Sequence, residues 1–328
     1  MIQPIAVTLG DPAGIGPEII ERCWELRETL GLPPFFGIGN RDSLAGVWKG
    51  PVCQIEHPDD VGGCCDALPL IEVADSEVVQ PGRPTLIGAR CALDALEIAT
   101  GLTRSGAAGA LVTGPVSKAQ LQAIGFTHPG QTEFVGERCG VFAANLAMIL
   151  VGPTLRTVPV TIHVALADVP QRLTTDLIVS RGRAAAKGLT RNFGIENPRL
   201  AVAGLNPHAG ESGLLGREEI DVIAPAIAEL RAEGIDAFGP LSADAMFHEH
   251  ARKSYDAALC MYHDQALVPL KTLHFDEGVN LTLGLPIVRT APDHGTAFDI
   301  AGKGIASHHA MAAAIRTAHE CAVYRTID

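Results

Sequence analysis

Ile5-Ala6-Val7-Thr8-Leu9-Gly10-Asp11-Pro12-Ala13-Gly14-Ile15-Gly16-Pro17-Glu18 reads as a strand, a glycine-rich loop and a helix start in direct succession. The first five residues are apolar or β-branched, as a strand buried on both faces requires. Pro17 suits the first position of a helix and Glu18 its first turn. The glycines permit a tight turn at a helix N-terminus, a favourable place for an anion, but Asp11 and Glu18 make this loop a poor phosphate cradle. It reads as a connecting βα loop.

The same alternation continues along the chain. Short apolar runs at 35–38, 110–113, 146–151, 158–162, 200–203, 257–261 and 279–283 end near Gly, Pro or Asp. Helical spacing of apolar residues, at i, i+3 and i+4, appears over 19–30, 93–102, 176–193, 218–232 and 309–324. Strand, loop and helix in repetition predict an α/β fold with helices on both faces of a sheet. No fixed-period repeat, low-complexity tract or long polar linker interrupts it. The length of 328 residues suits two domains, joined by short connections.

Composition removes several classes of function. The chain carries 37 acidic residues against 25 Lys plus Arg, a net charge of −12, with no basic run, which argues against nucleic acid or an anionic membrane as partner. The most apolar stretch, 141–151, is shorter than the roughly 18 residues a membrane span needs. Nothing at the N-terminus resembles a signal peptide. The 8 cysteines form no CxxC pair and read as ordinary reduced thiols, so the expected compartment is the cytoplasm.

Three histidines stand at one kind of address. His163 follows the run 158–162, His208 follows 201–207, and His263 follows 257–262. The C-terminal ends of strands are where open α/β sheets bind ligands. Neutral imidazoles are common ligands of divalent ions, and three can leave a position open for substrate. The competing reading is three separate strand-end side chains hydrogen-bonded to backbone. Beyond His263 come Lys271, Asn280 and Arg289, cationic and amide groups suited to an anion pocket in an acidic chain. No G-x-G-x-x-G follows a strand, so a Rossmann fingerprint is absent. The stretch 293–306 is a glycine-rich loop feeding a helix, a weak nucleotide signal taken alone.

That last stretch resembles the adenosine-binding loop of isocitrate and isopropylmalate dehydrogenases. GDPAGIGPE at 10–18, TGPVSK at 113–118, HPGQTEFVG at 128–136, NPHAGE at 206–211, YHDQALVPLKTLHFDEGVN at 262–280 and RTAPDHGTAFDIAGKG at 289–304 together resemble the 4-hydroxythreonine-4-phosphate dehydrogenase family of pyridoxal phosphate synthesis. The resemblance spans nearly the whole chain. It implies two α/β/α subdomains with a cleft between them, divided as 1–128 plus 285–328 and 129–284. It also implies a divalent metal (zinc, magnesium or cobalt) on His163, His208 and His263. Substrate contacts fall on Gln131, Thr132, Lys271, Asn280 and Arg289. An NAD or NADP loop falls on Gly295, Thr296, Ala297 and Asp299. The family is homodimeric, with His263 entering the partner's site. Many members have His where this chain has Gln131. Asp244 is a candidate general base, lying in Ser242-Ala243-Asp244-Ala245 where members often read Pro-Ala-Asp-Thr.

The expected reaction is metal-dependent, nicotinamide-linked oxidation of a phosphorylated hydroxy-amino acid, followed by loss of CO2. The family alternative is oxidation of a four-carbon acid sugar phosphate or a ring dihydrodiol. A metal-dependent lyase and a non-catalytic binding protein are readings from other classes. The three histidines and the Lys/Arg pocket exceed what binding alone needs.

Overall fold

The computed structural model describes residues 2–73 and 79–325. The chain divides into one unit of Met1–Ala143 with Leu285–Asp328 and a second of Ala144–Gly284.

In the first unit the strand order is Val52–Gln54, Leu68–Glu72, Phe35–Gly39, Ile5–Thr8, Leu111–Thr113 and Arg289–Pro292. Every adjacent pair is parallel. All four residues of Ile5–Thr8 are buried, as a central parallel strand covered on both faces demands. Helices Gly16–Glu25, Leu86–Arg104 and His309–Arg325 contribute buried faces to its core. The second unit has a mixed sheet in the order Val279–Leu283, Ala147–Val151, Arg156–Pro159, Ala257–Cys260, Arg199–Ala203, Asp236–Leu241. The first three strands pair antiparallel and the last four parallel. Its core gathers Leu150, Ala201, Ala258, Cys260 and Leu270, all fully buried. The α/β class predicted from the alternation is the one observed.

Two expectations change. Helix Gln131–Arg138 belongs to the first unit, so a division at 128/129 falls too early. The helix is fixed there by Phe134 against Phe126 (centroids 5.6 Å apart), by Arg138 on Glu97 (2.8 Å) and by Gln131 on Gly114. The cysteines are also not all thiols. Cys53 and Cys64 are joined, with Cα atoms 5.7 Å apart, because the turn Pro58–Gly63 folds back toward strand Val52–Gln54.

Glu21, on helix Gly16–Glu25, is 7% exposed and borders a cavity of about 390 Å³. Burial, then repulsion from Glu25, pushes its carboxyl up to about 7 from 4.5. The folded state therefore binds this proton more tightly than the unfolded chain, and stability falls as pH rises between those two values. Glu21→Gln is expected to stabilise by about 1–2 kcal/mol at pH 8, the adjoining cavity screening part of the charge, and to give no gain near pH 4.5. Thermal unfolding at the two pH values checks this; an equal gain at both would refute it.

Candidate active site

The three histidines follow the C-terminal ends of Arg156–Pro159, Arg199–Ala203 and Ala257–Cys260. Those strands are neighbours and parallel, with Ala257–Cys260 in the middle. The loops beyond them are stitched together by two residues that the sequence reading did not single out. Thr161, 4% exposed, sends both its N–H (3.3 Å) and its hydroxyl (2.7 Å) to the Met261 carbonyl. Gln265, 8% exposed, accepts from Met261 N at 2.7 Å and donates to the Gly204 carbonyl at 2.8 Å. Their signal in the sequence is only position: Thr161 is a polar residue within the apolar run 158–162, and Gln265 lies four residues beyond the run 257–261.

His163 and His263 line one cavity of about 240 Å³, their ring centroids 5.9 Å apart. His263 Nδ1 lies 2.7 Å from Asp264 Oδ1. A carboxylate there favours a proton on Nδ1 and leaves Nε2 as a lone-pair donor, the usual support of a metal-ligating imidazole. His163 and His208 both have left-handed backbone, φ 53° and 52°, uncommon for residues other than glycine. His208 is not on the lining of the cavity; it lies within electrostatic reach of Asp244. Among the described residues of one chain, no three His, Cys, Asp or Glu side chains gather closely enough to hold a metal ion. The donor set thus fits a divalent ion in kind, but a single chain offers an imidazole pair rather than a triad.

Asp244 hydrogen-bonds Ser242 at 2.5 Å, and that bond chiefly holds its carboxyl below the ordinary range, with His208 adding to the effect. A carboxylate stabilised in this way is a weak proton acceptor. Elsewhere in this unit, Lys271 lies on helix His263–His274, and Asn280 lies on strand Val279–Leu283, donating to Met148 Sδ at 3.0 Å.

Gln131, Thr132 and Arg289 come together in the first unit. Arg289, 4% exposed, donates from Nη2 to Thr113 Oγ1 at 2.6 Å and from Nη1 to Thr132 Oγ1 at 3.2 Å. Burial pulls its guanidinium down to about 10, against the attraction of Glu133, so it stays charged at neutral pH. Gln131 donates to the Gly114 carbonyl at 3.3 Å, which leaves its buried Oε1 without a hydrogen-bond partner among the described residues. The amide therefore presents an acceptor, a group that takes a donor rather than a phosphate oxygen.

The loop holding Gly295, Thr296, Ala297 and Asp299 is pinned by the stretch that begins the chain. Ile15 N donates to the Thr296 carbonyl at 3.0 Å, and a Cβ at Gly14 would stand 3.0 Å from that oxygen. Glu18 accepts from Gly302 N at 2.8 Å and from Ala306 N at 3.4 Å. The 10–18 motif is thus the support of another loop, consistent with its acidic residues. Gly295 has open space where a side chain would stand, and Asp299 is exposed, so the loop leaves room for a ligand. Among the described residues, no helix is long and apolar enough to cross a membrane.

Residues 40–318 match the family model for pyridoxal phosphate biosynthetic protein PdxA. A 4-hydroxythreonine-4-phosphate dehydrogenase of Erythrobacter litoralis is 55% identical over 329 residues, covering 98% of each chain. Among solved structures, the enzyme of that name from Klebsiella pneumoniae superposes with a TM-score of 0.87 at 36% identity, over 98% of this chain and 99% of that one. A terephthalate 1,2-cis-dihydrodiol dehydrogenase from Burkholderia xenovorans gives 0.67 at 28% identity, over 98% of each. With the family model, the relatives and the superposed structure in agreement, the chain belongs to the PdxA family of pyridoxal phosphate biosynthetic proteins.

Proposed function

We propose that the chain oxidises 4-phosphooxy-L-threonine to 2-amino-3-oxo-4-phosphooxybutanoate, which loses CO2 to give 3-amino-2-oxopropyl phosphate. In this reading it works as a cytoplasmic homodimer, with NAD or NADP and a zinc, magnesium or cobalt ion. The observation that carries the reading is the set of His163, His208 and His263 at the ends of three adjacent parallel strands, in a chain whose relatives bear this enzyme's name.

When bound, a divalent ion supplies Lewis acidity toward the alcohol oxygen and the later carbonyl, and nicotinamide accepts the hydride. The protein's part is binding and orientation. Asp264 fixes the tautomer of His263. Arg289, its fork held open by Thr113 and Thr132, binds an anionic group of the substrate, and the family resemblance gives Lys271 and Asn280 substrate contacts as well. Gln131 Oε1 accepts from a substrate N–H or O–H group. Asp244 stays anionic beside His208, and its lowered basicity makes it a poor store for the substrate proton. The loop at Gly295, Thr296, Ala297 and Asp299 takes the cofactor.

The third imidazole of each metal site comes from a second copy of the chain. The family resemblance gives that role to His263. The 5.9 Å approach of His163 and His263 within one chain instead favours His208 as the ring that crosses.

A substrate panel tests the function. Metal-loaded protein is given 4-phosphooxy-L-threonine, a four-carbon acid sugar phosphate and a ring cis-dihydrodiol, and cofactor reduction is followed. Turnover of the amino acid should exceed the others by about 100-fold or more in kcat/KM, because a site's buried polar groups reject analogues that leave them unpaired. Faster turnover of either other compound would transfer the chain to that activity.

A further inference from the structure

Residues 208–212 are all left-handed, with φ of 52°, 51°, 76°, 43° and 57°. Gly210 adopts this freely, but His208, Ala209, Glu211 and Ser212 do so only if the surroundings hold them. Such a run does not persist unsupported.

Its support is Glu219, 3% exposed, in a single π-type turn just before helix Ala224–Ala232. One carboxylate oxygen accepts from Leu205 N at 2.8 Å and Asn206 N at 2.7 Å. The other accepts from the Asn206 side-chain amide at 3.0 Å, and the same amide donates to Glu218 at 2.7 Å. The loop closes over this group so tightly that a Cβ at Gly210 would lie 2.5 Å from Glu219 Oε2, and one at Gly204 3.1 Å from Oε1. Burying a carboxylate is costly unless hydrogen bonds compensate it, and here the bonds it accepts all come from the segment leading into His208.

We infer that Glu219 is a positioning residue for His208: its buried carboxylate fixes the left-handed turn that sets the direction of that imidazole. The inference rests on His208 being a metal ligand. Outer groups that orient a ligand commonly change metal affinity by about 10–100-fold.

The test compares Glu219→Gln, Asn206→Ala and His208→Ala with the wild-type protein. Co2+ is the probe, its binding measured by calorimetry and by its visible spectrum without substrate, and metal-free thermal unfolding is recorded alongside. Glu219→Gln keeps one acceptor for the two backbone donors but turns an amide N–H2 toward Asn206, so the turn loosens. Co2+ affinity should fall about 10–100-fold, with a changed spectrum and little change in metal-free unfolding. Adding His208→Ala to Glu219→Gln should weaken binding no further than His208→Ala alone, since both act through one ligand. If Glu219→Gln binds Co2+ as the wild type does while His208→Ala does not, the positioning role is wrong and the metal reading stands. If His208→Ala itself binds normally, the metal reading fails. Should Glu219→Gln not fold, Asn206→Ala is judged by the same criteria.

Discussion

Arg289→Met is expected to lower kcat/KM by about 1,000-fold while leaving the protein folded and no less stable. The guanidinium is almost fully buried and hydrogen-bonded to two threonine hydroxyls, a preset fork rather than a flexible surface cation. A hydrogen bond to a charged group is worth about 1.5–3 kcal/mol, so losing two to a substrate anion amounts to roughly three orders of magnitude. Stability should move the other way or not at all, because a buried cation carries a desolvation penalty that Met does not. Steady-state kinetics and thermal unfolding measured together check both halves. Activity within tenfold of wild type would remove Arg289 from the substrate site.

Mixing inactive histidine variants should restore activity in two of the three possible pairings. When one ligand of each site comes from the partner, pairing a variant of that ligand with a variant of either other ligand gives a mixed dimer with one intact site. Pairing the two same-chain variants gives none. Random exchange makes half the dimers mixed, so recovery reaches about a quarter of wild-type activity. If His263 crosses, the pair His163→Ala with His208→Ala stays inactive. If His208 crosses, the silent pair is His163→Ala with His263→Ala. With subunit exchange demonstrated, no recovery in any pairing would refute the shared site.

The strands that were legible in the sequence are those buried on both faces, such as Ile5–Thr8 and Ala257–Cys260, since burial forces a continuous apolar run. Four others carry a weaker signal. Leu68–Glu72, Asp236–Leu241 and Arg289–Pro292 each contain proline, and Val52–Gln54 is a three-residue edge strand with only partial burial. Helix His263–His274 is masked in the sequence by Pro269 in its interior. The strand-end address of the three histidines is legible because each follows an apolar run along the chain. The supporting shell was not: Thr161, Gln265 and Glu219 act through hydrogen bonds between segments, and a single sequence records no such pairing. Gln131 stands where many relatives have histidine, and its amide offers both a donor and an acceptor. The structure commits its amide N–H to Gly114, a choice set by a backbone carbonyl 17 residues away.

The central claim is that one site couples a metal, a nicotinamide cofactor and decarboxylation. The direct measurement is a single-turnover reaction with 4-phosphooxy-L-threonine in which reduced cofactor and released CO2 are counted together, with and without chelator treatment. Metal-loaded protein should give equal amounts of both, stripped protein nothing, and activity should return when a divalent ion is restored. Full turnover by thoroughly metal-free protein, or CO2 release without cofactor reduction, would contradict it.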